Sequence, residues 1–552
     1  MVGRIAIFGQ PPINIRNMKM NFYKKYLLVL CLMGGFIVNS HAQGWSKSFE
    51  FYPASEGSMR HTLIDDTIYI KSYCYCYDND ECSFVCKIDT AGNVLQIMEL
   101  HKSGKGIQMG AYSDILLIGD KLVTTGDDSW DNTKNNVEYQ HLYKIKKTLD
   151  SMERIPIPIP DSVYQFGGNV LYFEKENIII TEELRYDPKA KDKNIEHITA
   201  LGEDNQVLWS YSYKVPNPNL KMTDGGEIIK NTDTSFIVSF RLSGPYIQYF
   251  SMNTKGKLLW EYTENNFIQA LYGNPNTYKP MIAPAEGTDI VRAWYYDAGN
   301  LNWDPQPEIS RITNKGKVIW QHKFPFTSSL DTIQYRSKRI WHLAKTKNGD
   351  YVGVGTCLHR AFHTDGSNKF AFETGYAFRV DKDGNALWER YYVDQGRSKF
   401  GYQSFYAVAE GDDGSLYFSG HITDSIPNVP GSGLNSNVWL LKTGPDGCLT
   451  PGCDEDLVYV STKKVLNRHP DLLRVYPNPG SSELNISWGD VPSLPQRIEL
   501  RSLNGSMVYK ETLSGFDDRA TIHAAHLPPG MYLVTLHGQD WQTMPQKWVK
   551  IE

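Results

Sequence analysis

The feature that most constrains the fold is a strand–turn–strand pattern that recurs through the middle of the chain. Each copy has an apolar strand, a four-residue polar turn and a second strand that often opens with tryptophan, as in YFSMNTKGKLLWEYTE, ISRITNKGKVIWQHKF and AFRVDKDGNALWERYY. The turns carry a residue that tolerates positive φ, which tight hairpins need: Gly92, Asn205, Gly256, Gly316, Gly384 and Gly447. Four residues later, four copies have a tryptophan: Trp209, Trp260, Trp320 and Trp388. A large ring at this fixed place predicts packing between neighbouring sheets.

A second kind of hairpin alternates with the first, as in IWHLAKTKNGDYVGVGT and FYAVAEGDDGSLYFSG. Together the two kinds give four strands per unit, which predicts an all-β fold with a β-propeller over residues 43–455. Seven blades are favoured, with six or eight left open. The last unit ends at Cys448 without a fourth strand, so the N-terminal strand at 46–53 is predicted to close the ring.

These repeats resemble the quinoprotein-like repeats of bacterial propellers, which also place tryptophan four residues after a turn glycine. They differ from the sialidase Asp-box repeat, in which tryptophan follows glycine by three residues. The resemblance implies a fold and no chemistry. It brings no identifiable cofactor ligands, so no cofactor is predicted.

Charge and the first residues predict an exported protein that does not bind nucleic acid. The net charge is −5 and the basic residues are scattered, whereas duplex binding requires a basic stripe. Two lysines precede the apolar run YLLVLCLMGGFIV, and small residues end at Ala42, which predicts a secretory signal peptide over 1–42. The run is shorter than the roughly 20 residues of a membrane span, so no transmembrane segment is expected in the mature chain. A lipoprotein signal at Cys31 is the alternative, and the large Leu30 disfavours it.

Export to an oxidising compartment makes the cysteines candidate disulfides. The tight CLTPGC loop predicts a bridge between Cys448 and Cys453. Four others flank a DND turn and fall on two antiparallel strands: Cys74, Cys76, Cys82 and Cys86. Pairs across such strands are within disulfide reach, although pairing 74 with 86 and 76 with 82 needs a bulge or a skew. A zinc site is the alternative; its spacing is not standard and export disfavours it, so no metal is assigned. Cys357 is expected to be a buried thiol.

After Cys453 the polar stretch 456–472 is interpreted as a linker, and residues 473–552 as a small β-sandwich of immunoglobulin type. Several motifs follow in order here: YPNP, LNI, an LNG turn, LPPGMYLV and a basic end. Their residues are Tyr476, Pro477, Asn478, Pro479, Gly505, Gly530, Tyr532, Lys547 and Lys550.

In order and spacing, this set resembles the type A C-terminal sorting domain of the type IX secretion system. The resemblance implies recognition by an outer-membrane translocon after passage to the periplasm. It also implies removal by a sortase near residues 455–474 and attachment of the cargo to surface lipopolysaccharide. The expected location is the outer-membrane surface or the extracellular space. The alternative is a sandwich that acts as a carbohydrate-binding module or a spacer.

Long loops on one face of the predicted propeller are the candidate binding surface. Two of them, over 126–139 and 294–308, mix flat rings with carboxylates, a combination that suits sugars. The candidate ligand-binding residues are Asp127, Asp128, Trp130, Asp131, Trp294, Tyr295, Tyr296, Asp297, Trp303 and Asp304. The alternative is that these rings pack within their own loops. Calcium is a candidate ligand of the Asp-rich loops, although none has the alternation of an EF-hand.

No catalytic constellation stands out. His359 and His363 have the spacing of metal ligands on a helix, but their segment is predicted to be a loop. A glycosidase needs two carboxylates about 5–9 Å apart, and the many loop acids neither support nor exclude such a pair. We therefore expect a surface-displayed propeller that binds a glycan or a surface protein. A hydrolase or lyase in the propeller funnel, or a structural or adhesion component of the envelope, are the alternatives.

Overall fold

The computed structural model describes most of the chain after the predicted signal peptide. The described residues are 44–49, 56–75, 81–102, 105–109, 113–128, 140–157, 164–166, 168–186, 194–217, 219–243, 246–265, 281–297, 305–325, 335–362, 368–394, 402–424, 435–453, 456–460, 463–465, 467–469, 473–489, 495–502, 506–513, 518–538, 541–543 and 545–552. Their regular elements are all strands, numbered β1 to β41 in chain order.

Antiparallel units of four main strands, called blades 1 to 7, follow one another as far as Thr443, and pairing of the last strand of blade 1 with the first strand of blade 2 joins these two blades into one sheet. The first strand, β1 (Trp45–Phe49), belongs to blade 7. Blade 1 has β2 (Glu56–Ile64), β3 (Thr67–Tyr75), β4 (Glu81–Asp89) and β5 (Val94–Lys102). Blade 2 has β6 (Lys105–Met109) and β7 (Leu116–Ile118) as its innermost strand, then β8 (Lys121–Asp128), β9 (Gln140–Lys146) and β10 (Met152–Pro156). Blade 3 has β11 (Tyr164–Phe166) and β12 (Val170–Phe173), then β13 (Ile178–Tyr186), β14 (Asn194–Leu201) and β15 (Val207–Ser212).

The next three blades have the same strand order. Blade 4 has β16 (Met222–Thr232), β17 (Ser235–Leu242), β18 (Tyr246–Asn253) and β19 (Leu258–Asn265). Blade 5 has β20 (Met281–Pro284), β21 (Ile290–Asp297), β22 (Pro305–Ile312) and β23 (Val318–Lys323). Blade 6 has β24 (Tyr335–Lys345), β25 (Tyr351–Phe362), β26 (Asn368–Val380) and β27 (Ala386–Asp394).

Blade 7 joins the two ends of this region. It has β28 (Gln403–Glu410), β29 (Leu416–Asp424) and β30 (Asn435–Thr443), and β1 pairs antiparallel with β30 as its fourth strand. The all-β propeller expected from the repeats is therefore confirmed. The count of seven blades in a closed ring stays a prediction, because most connections between blades lie outside the described residues.

Three of the four recurrent tryptophans, Trp209, Trp320 and Trp388, hydrogen-bond the turn of the next blade. The indole of Trp209 in blade 3 donates to the Thr254 carbonyl in the turn of blade 4, at 2.9 Å. Trp388 in blade 6 donates in the same way to the Pro445 carbonyl of blade 7, at 3.0 Å. From blade 7, Trp45 reaches the Thr90 carbonyl of blade 1 at 3.1 Å. The predicted packing of these rings between neighbouring sheets is thus confirmed.

The same contacts explain the turn glycines. Gly256 has φ of 78°, and a side chain there would meet the Trp209 ring at 2.9 Å. The turn of one blade must therefore be glycine both for its own backbone and to leave room for the neighbouring ring.

Arg60 of blade 1 connects the innermost strands of several blades. Its guanidinium donates to the carbonyls of Trp341 in blade 6 and Tyr406 in blade 7. It also pairs with Asp114, which precedes β7 of blade 2, at 3.4 Å. Because Arg60 is only 2% exposed, these bonds replace its hydration and hold the blades together.

His61 and His342 lie beside this arginine, and His421 packs against the ring of Tyr406, whose carbonyl accepts from Arg60. His61 hydrogen-bonds Ser419 of blade 7 at 2.6 Å, and the His342 Nδ1 accepts from the Val408 amide at 3.2 Å. Burial, followed by the nearby Arg60 charge, lowers the pKa of His61 to about 3. Burial lowers the pKa of His421 to about 4. Burial, followed by the Arg60 charge, also lowers the pKa of His342. All three rings are therefore neutral at pH 7.

The segment interpreted as a linker carries three short strands. These are β31 (Leu457–Val460), β32 (Lys463–Val465) and β33 (Asn467–His469). The first adds in parallel to the outer edge of β27, and the second adds in parallel to β1. We call residues 456–465 the strap, because it covers the outer edges of blades 6 and 7.

The C-terminal residues form a two-sheet sandwich. Its strands are β34 (Leu473–Tyr476), β35 (Glu483–Trp488), β36 (Arg497–Ser502), β37 (Met507–Thr512), β38 (Arg519–His523), β39 (Gly530–His537), β40 (Trp541–Thr543) and β41 (Gln546–Lys550). One sheet holds β34, β35 and β38, and the other holds the remaining strands with β33 added to β40. Alternate residues such as Leu484, Ile498 and Val534 are fully buried between the two sheets.

The cysteines are paired only in part as expected. The Cys448–Cys453 disulfide is present, and Cys357 is a buried thiol. Cys74 lies directly opposite Cys82 on β3 and β4, while Cys76 lies outside the described residues. Cys86 is a buried thiol whose register partner is Ile70. The prediction that Cys86 forms a disulfide is therefore wrong, because the register places no cysteine opposite it.

Candidate functional sites in the propeller and the C-terminal sandwich

Six of the ten predicted ligand residues lie in strands rather than loops. Asp127 and Asp128 end β8, where Asp127 pairs with Gln140. The run from Trp294 to Asp297 ends β21 and pairs with the start of β22. The other four lie outside the described residues: Trp130, Asp131, Trp303 and Asp304. The two groups belong to blades 2 and 5, and their contact with one ligand stays a prediction.

Trp294 fills a structural position between blades 4 and 5. Its side chain is only 8% exposed and packs with Ile237 and Tyr249. The indole donates to Glu308 Oε1 at 3.3 Å, and the guanidinium of Arg292 lies 3.9 Å from the ring centre. A ring sandwiched in this way offers no open face for a sugar.

Arg292 in turn is held from three sides. It forms an ion pair with Glu264 of blade 4 and donates from Nε to Ser310 Oγ at 3.0 Å. Its charge is thus neutralised within the protein. The end of β21 is therefore joined to blade 4 by buried polar contacts.

Buried carboxylates in blade 3 were missed by the sequence reasoning. Glu182 accepts from the Asn169 amide at 3.2 Å and from the Gly226 amide of blade 4 at 3.1 Å. Glu196 lies beside it, since a side chain on Gly226 would meet Glu196 Oε1 at 2.9 Å and Glu182 Oε1 at 3.3 Å. Glu183 pairs with Arg185 at 3.0 Å. The signal was present as acidic residues within the apolar strand IIITEELRY, which is buried on both faces, so that the consecutive Glu182 and Glu183 are both covered.

The suggested histidine pair does not form a helical metal site. His359 is buried in β25, where its Nε2 hydrogen-bonds Thr374 Oγ1 at 2.9 Å; His363 lies outside the described residues. Across the described parts of the chain, no three His, Cys, Asp or Glu side chains are grouped so as to hold a metal ion. Calcium on the Asp-rich loops stays a prediction.

In the C-terminal sandwich, the YPNP segment and the basic end lie side by side. Asn478 acts as a short extra piece of strand against β41: its Nδ2 donates to the Lys547 carbonyl at 2.6 Å, and its Oδ1 accepts from the Val549 amide at 3.0 Å. Gly480 continues the contact, accepting from the Ile551 amide at 2.8 Å. The two ends of the sandwich are therefore fastened to each other.

Trp548 anchors this clamp to the core. It is fully buried and donates to the Pro477 carbonyl at 2.9 Å. Tyr532 packs 5.9 Å from its ring and donates to the Pro528 carbonyl at 2.7 Å. A side chain on Gly480 would meet the indole nitrogen at 2.9 Å, so this position must stay small.

The predicted sorting residues thus divide between surface and core. Tyr476, Pro477, Asn478 and Pro479 are exposed, as is Lys547, while Lys550 is buried. Gly530 pairs with Lys550 at the start of β39. Gly505 lies outside the described residues.

Residues 474–551 match the profile of the secretion system C-terminal sorting domain. This part of the chain is a type IX sorting domain. The chain is therefore exported by the type IX secretion system to the cell surface or the extracellular space. None of its described residues forms a helix long and apolar enough to cross a membrane.

Comparisons beyond the sorting domain give the fold at most. No curated protein sequence matches the chain. The β-propeller domain of the trilobed protease from Pyrococcus furiosus is 9% identical, covers 74% of this chain and 96% of its own, and has a TM-score of 0.36. An α-L-arabinanase from Penicillium chrysogenum is 9% identical with 73% and 98% covered and a TM-score of 0.38. An exo-β-1,3-galactanase from Phanerochaete chrysosporium is 12% identical with 84% and 97% covered and a TM-score of 0.30. Likeness at this level carries no argument about activity.

Proposed function

We propose that the sorting domain delivers a propeller that binds a glycan through its long-loop face, the face formed by the connections between the second and third strands of each blade. The observation that carries the proposal is the neutralised network at the end of β21. Arg292, Glu264 and Glu308 are occupied by one another and by Trp294.

A similar support lies under the loop of blade 3. Glu183 binds Arg185 through both Nε and Nη2 at 3.0 Å and accepts from Thr181 at 3.2 Å. These charges are buried and paired, so they position the loops rather than meet a ligand. The ligand is then contacted by the loops, as in other proteins whose binding loops are held by a rigid scaffold.

The loops of blades 2 and 5 have the composition for such a contact. Trp130 and Trp303 supply flat rings for stacking on a sugar face, and Asp131 and Asp304 supply acceptors for hydroxyl groups. A glycan is favoured over a charged partner because the chain is close to neutral for its length, at −5.

The test is binding of the full chain to an array of immobilised glycans. We expect Trp130→Ala and Trp303→Ala each to weaken the strongest signal at least tenfold. Tyr459→Ala, an aromatic residue 51% exposed on the strap, is the matched control and should leave the signal unchanged. A signal that survives both loop substitutions would refute a loop-face glycan site.

A second candidate is a glycan hydrolase, favoured by one observation. Glu182 and Glu196 are neighbouring buried carboxyl groups beside Gly226 on the innermost strand of blade 4. Release of reducing sugar from a glycan bound on the array would support it, with activity lost in Glu196→Gln while binding persists. Binding without release favours the binding propeller.

We further propose that the partners of the sorting domain are the translocon and a sortase, and that the propeller ends attached to the surface. Deletion of residues 473–552 should leave the propeller in the periplasm. Mass spectrometry of the surface form should give a C-terminus near residues 455–474. A surface form that retains Trp548 would contradict removal of the domain.

A further inference from the structure

A cleft lies between the outermost strands of blades 5 and 6, on a part of the propeller with no assigned role. Its volume is about 210 Å³, and it is lined by β23, the two residues that follow β23, and the start of β27. This is smaller than the about 300–1,000 Å³ of sites for drug-sized ligands. It suits a single ring or a group of similar size.

Glu389 supplies a fixed acceptor in this cleft. Its Oε1 accepts three hydrogen bonds, from Lys338 Nζ at 2.7 Å, Tyr376 Oη at 2.8 Å and Tyr391 Oη at 3.1 Å. Its Oε2 makes no hydrogen bond to any residue in the described part of the chain, and the side chain is 22% exposed. One oxygen therefore holds the carboxylate in place, and the other is left for a ligand.

The charge of this carboxylate is already balanced. Lys338 is fully buried and gives its other protons to the carbonyls of Phe324 and Pro325, both at 3.2 Å and both in the cleft wall. Lys323 at the rim lies 4.0 Å from Glu308 of its own blade. A cation would find no net negative charge here, and an anion would face an oxygen that can only accept.

The remaining wall is an uncharged mixture of polar and apolar groups. His322 packs edge-on against Phe324, with ring centres 4.7 Å apart. Burial lowers the pKa of His322, although the nearby Glu389 opposes this shift, so the ring is neutral at pH 7. Leu387 is 51% exposed at the opposite wall. An acceptor oxygen, a neutral imidazole and aliphatic surface together match a ring that carries hydroxyl groups on one edge and C–H groups on its face.

We propose that this cleft is a second glycan subsite, in which Glu389 Oε2 and His322 hydrogen-bond the hydroxyl groups of one neutral sugar ring that packs on Leu387. The site lies at the outer edge of the blades and does not depend on the long-loop face. Loss of glycan binding at one of the two sites would therefore leave binding at the other unchanged.

The test is titration of the full chain with neutral disaccharides (maltose, cellobiose, lactose and N,N′-diacetylchitobiose), with binding measured by saturation-transfer NMR. We expect His322→Ala and Leu387→Ala to reduce transfer to the bound sugar at least tenfold. Leu259→Ala is the matched control, because Leu259 has the same place on the outermost strand of blade 4 and is 48% exposed. Trp130→Ala and Trp303→Ala should not alter this signal, which separates the cleft from the loop face.

Glu389→Gln is the sharper variant, since it keeps the shape and removes the charge that faces Lys338. Its melting temperature is measured in parallel, so that loss of fold is distinguished from loss of binding. The proposal is overturned if none of the four sugars binds, if binding survives both His322→Ala and Leu387→Ala, or if putrescine or glucuronate binds as tightly as the neutral sugars.

Discussion

The propeller and the sorting domain both use a tryptophan hydrogen bond to join distant segments, but they use it in different ways. In both, a tryptophan N–H bonds a carbonyl of a distant segment: Trp388 with Pro445, and Trp548 with Pro477. In the propeller the device recurs from blade to blade, so it reports packing and says nothing about a ligand. In the described part of the sorting domain it is made by Trp548, where the YPNP segment meets the last strand. The same contact thus joins repeated units in the propeller and fastens the two ends of one domain in the sandwich.

The largest effect should come from removing one tryptophan in each region. Trp548→Ala and Trp388→Ala each empty a buried site, and loss of such a ring costs about 3–5 kcal/mol. We expect Trp548→Ala to block export while the propeller keeps its protection from hydrogen exchange. Trp388→Ala should instead loosen blades 6 and 7. Exchange followed by mass spectrometry distinguishes the two regions.

Tyr476→Ala is the control, since Tyr476 is 48% exposed at the same clamp and should leave the stability of the sandwich nearly unchanged. If Trp548→Ala also speeds exchange in the propeller, the contact between Trp548 and Pro477 would support the propeller as well as the sandwich, and the two regions would not be independent.

The sequence predicts what is repeated and local. Turn glycines, interblade tryptophans and the Cys448–Cys453 bridge follow from spacing alone. Trp294 could have been placed correctly by strand alternation, because Ile290, Arg292 and Trp294 share one face of β21. The hydrogen bonds of Arg60 to blades 6 and 7 could not have been predicted, because they join residues 281 and 346 positions apart in the chain. The LVYV run of the strap favours a strand, but its pairing with β27 and that of Lys463–Val465 with β1 could not be predicted, because those edges are distant in the sequence.

The next largest effect should come from acid, which should destabilise the propeller more than the sorting domain. His61 has a pKa of about 3 in the folded chain and about 6.5 when unfolded. Between these values the unfolded chain binds a proton that the folded chain does not. The free energy of unfolding therefore falls as pH drops below about 6.5, and is unaffected above it. His421 adds to this, with a folded pKa of about 4.

The sorting domain should be less sensitive. Burial lowers the pKa of His537 too, but the Glu499 carboxylate, 3.4 Å away, opposes the shift. Hydrogen exchange at pH 7 and pH 4.5 measures the difference, and His61→Gln should reduce the acid effect on the propeller. Equal acid sensitivity of both regions would contradict this account.

Substitution of the turn glycines by alanine should lower the stability of the propeller by a smaller amount. Gly384 and Gly414 have φ of 89° and 78°, so alanine at either is strained by about 1–2 kcal/mol. A side chain at Gly384 would also meet the Trp320 ring at 2.6 Å, whereas none lies within 4 Å of one at Gly414. Gly384→Ala should therefore lower the melting temperature more than Gly414→Ala. Equal losses would mean that the ring yields and that the turn needs glycine for its backbone alone.

The smallest effect tests whether the strap belongs to the propeller or to the sorting domain. Val460 is 2% exposed against blade 6, while its neighbour Tyr459 is 51% exposed. Val460→Ala removes two buried carbons, worth about 1–2 kcal/mol, and Tyr459→Ala should remove almost nothing. If the strap is part of the propeller, Val460→Ala speeds exchange in β27 and leaves β34 and β35 unchanged. Faster exchange in the sandwich instead would assign the strap to the sorting domain, and removal of that domain would then also uncover the edges of blades 6 and 7.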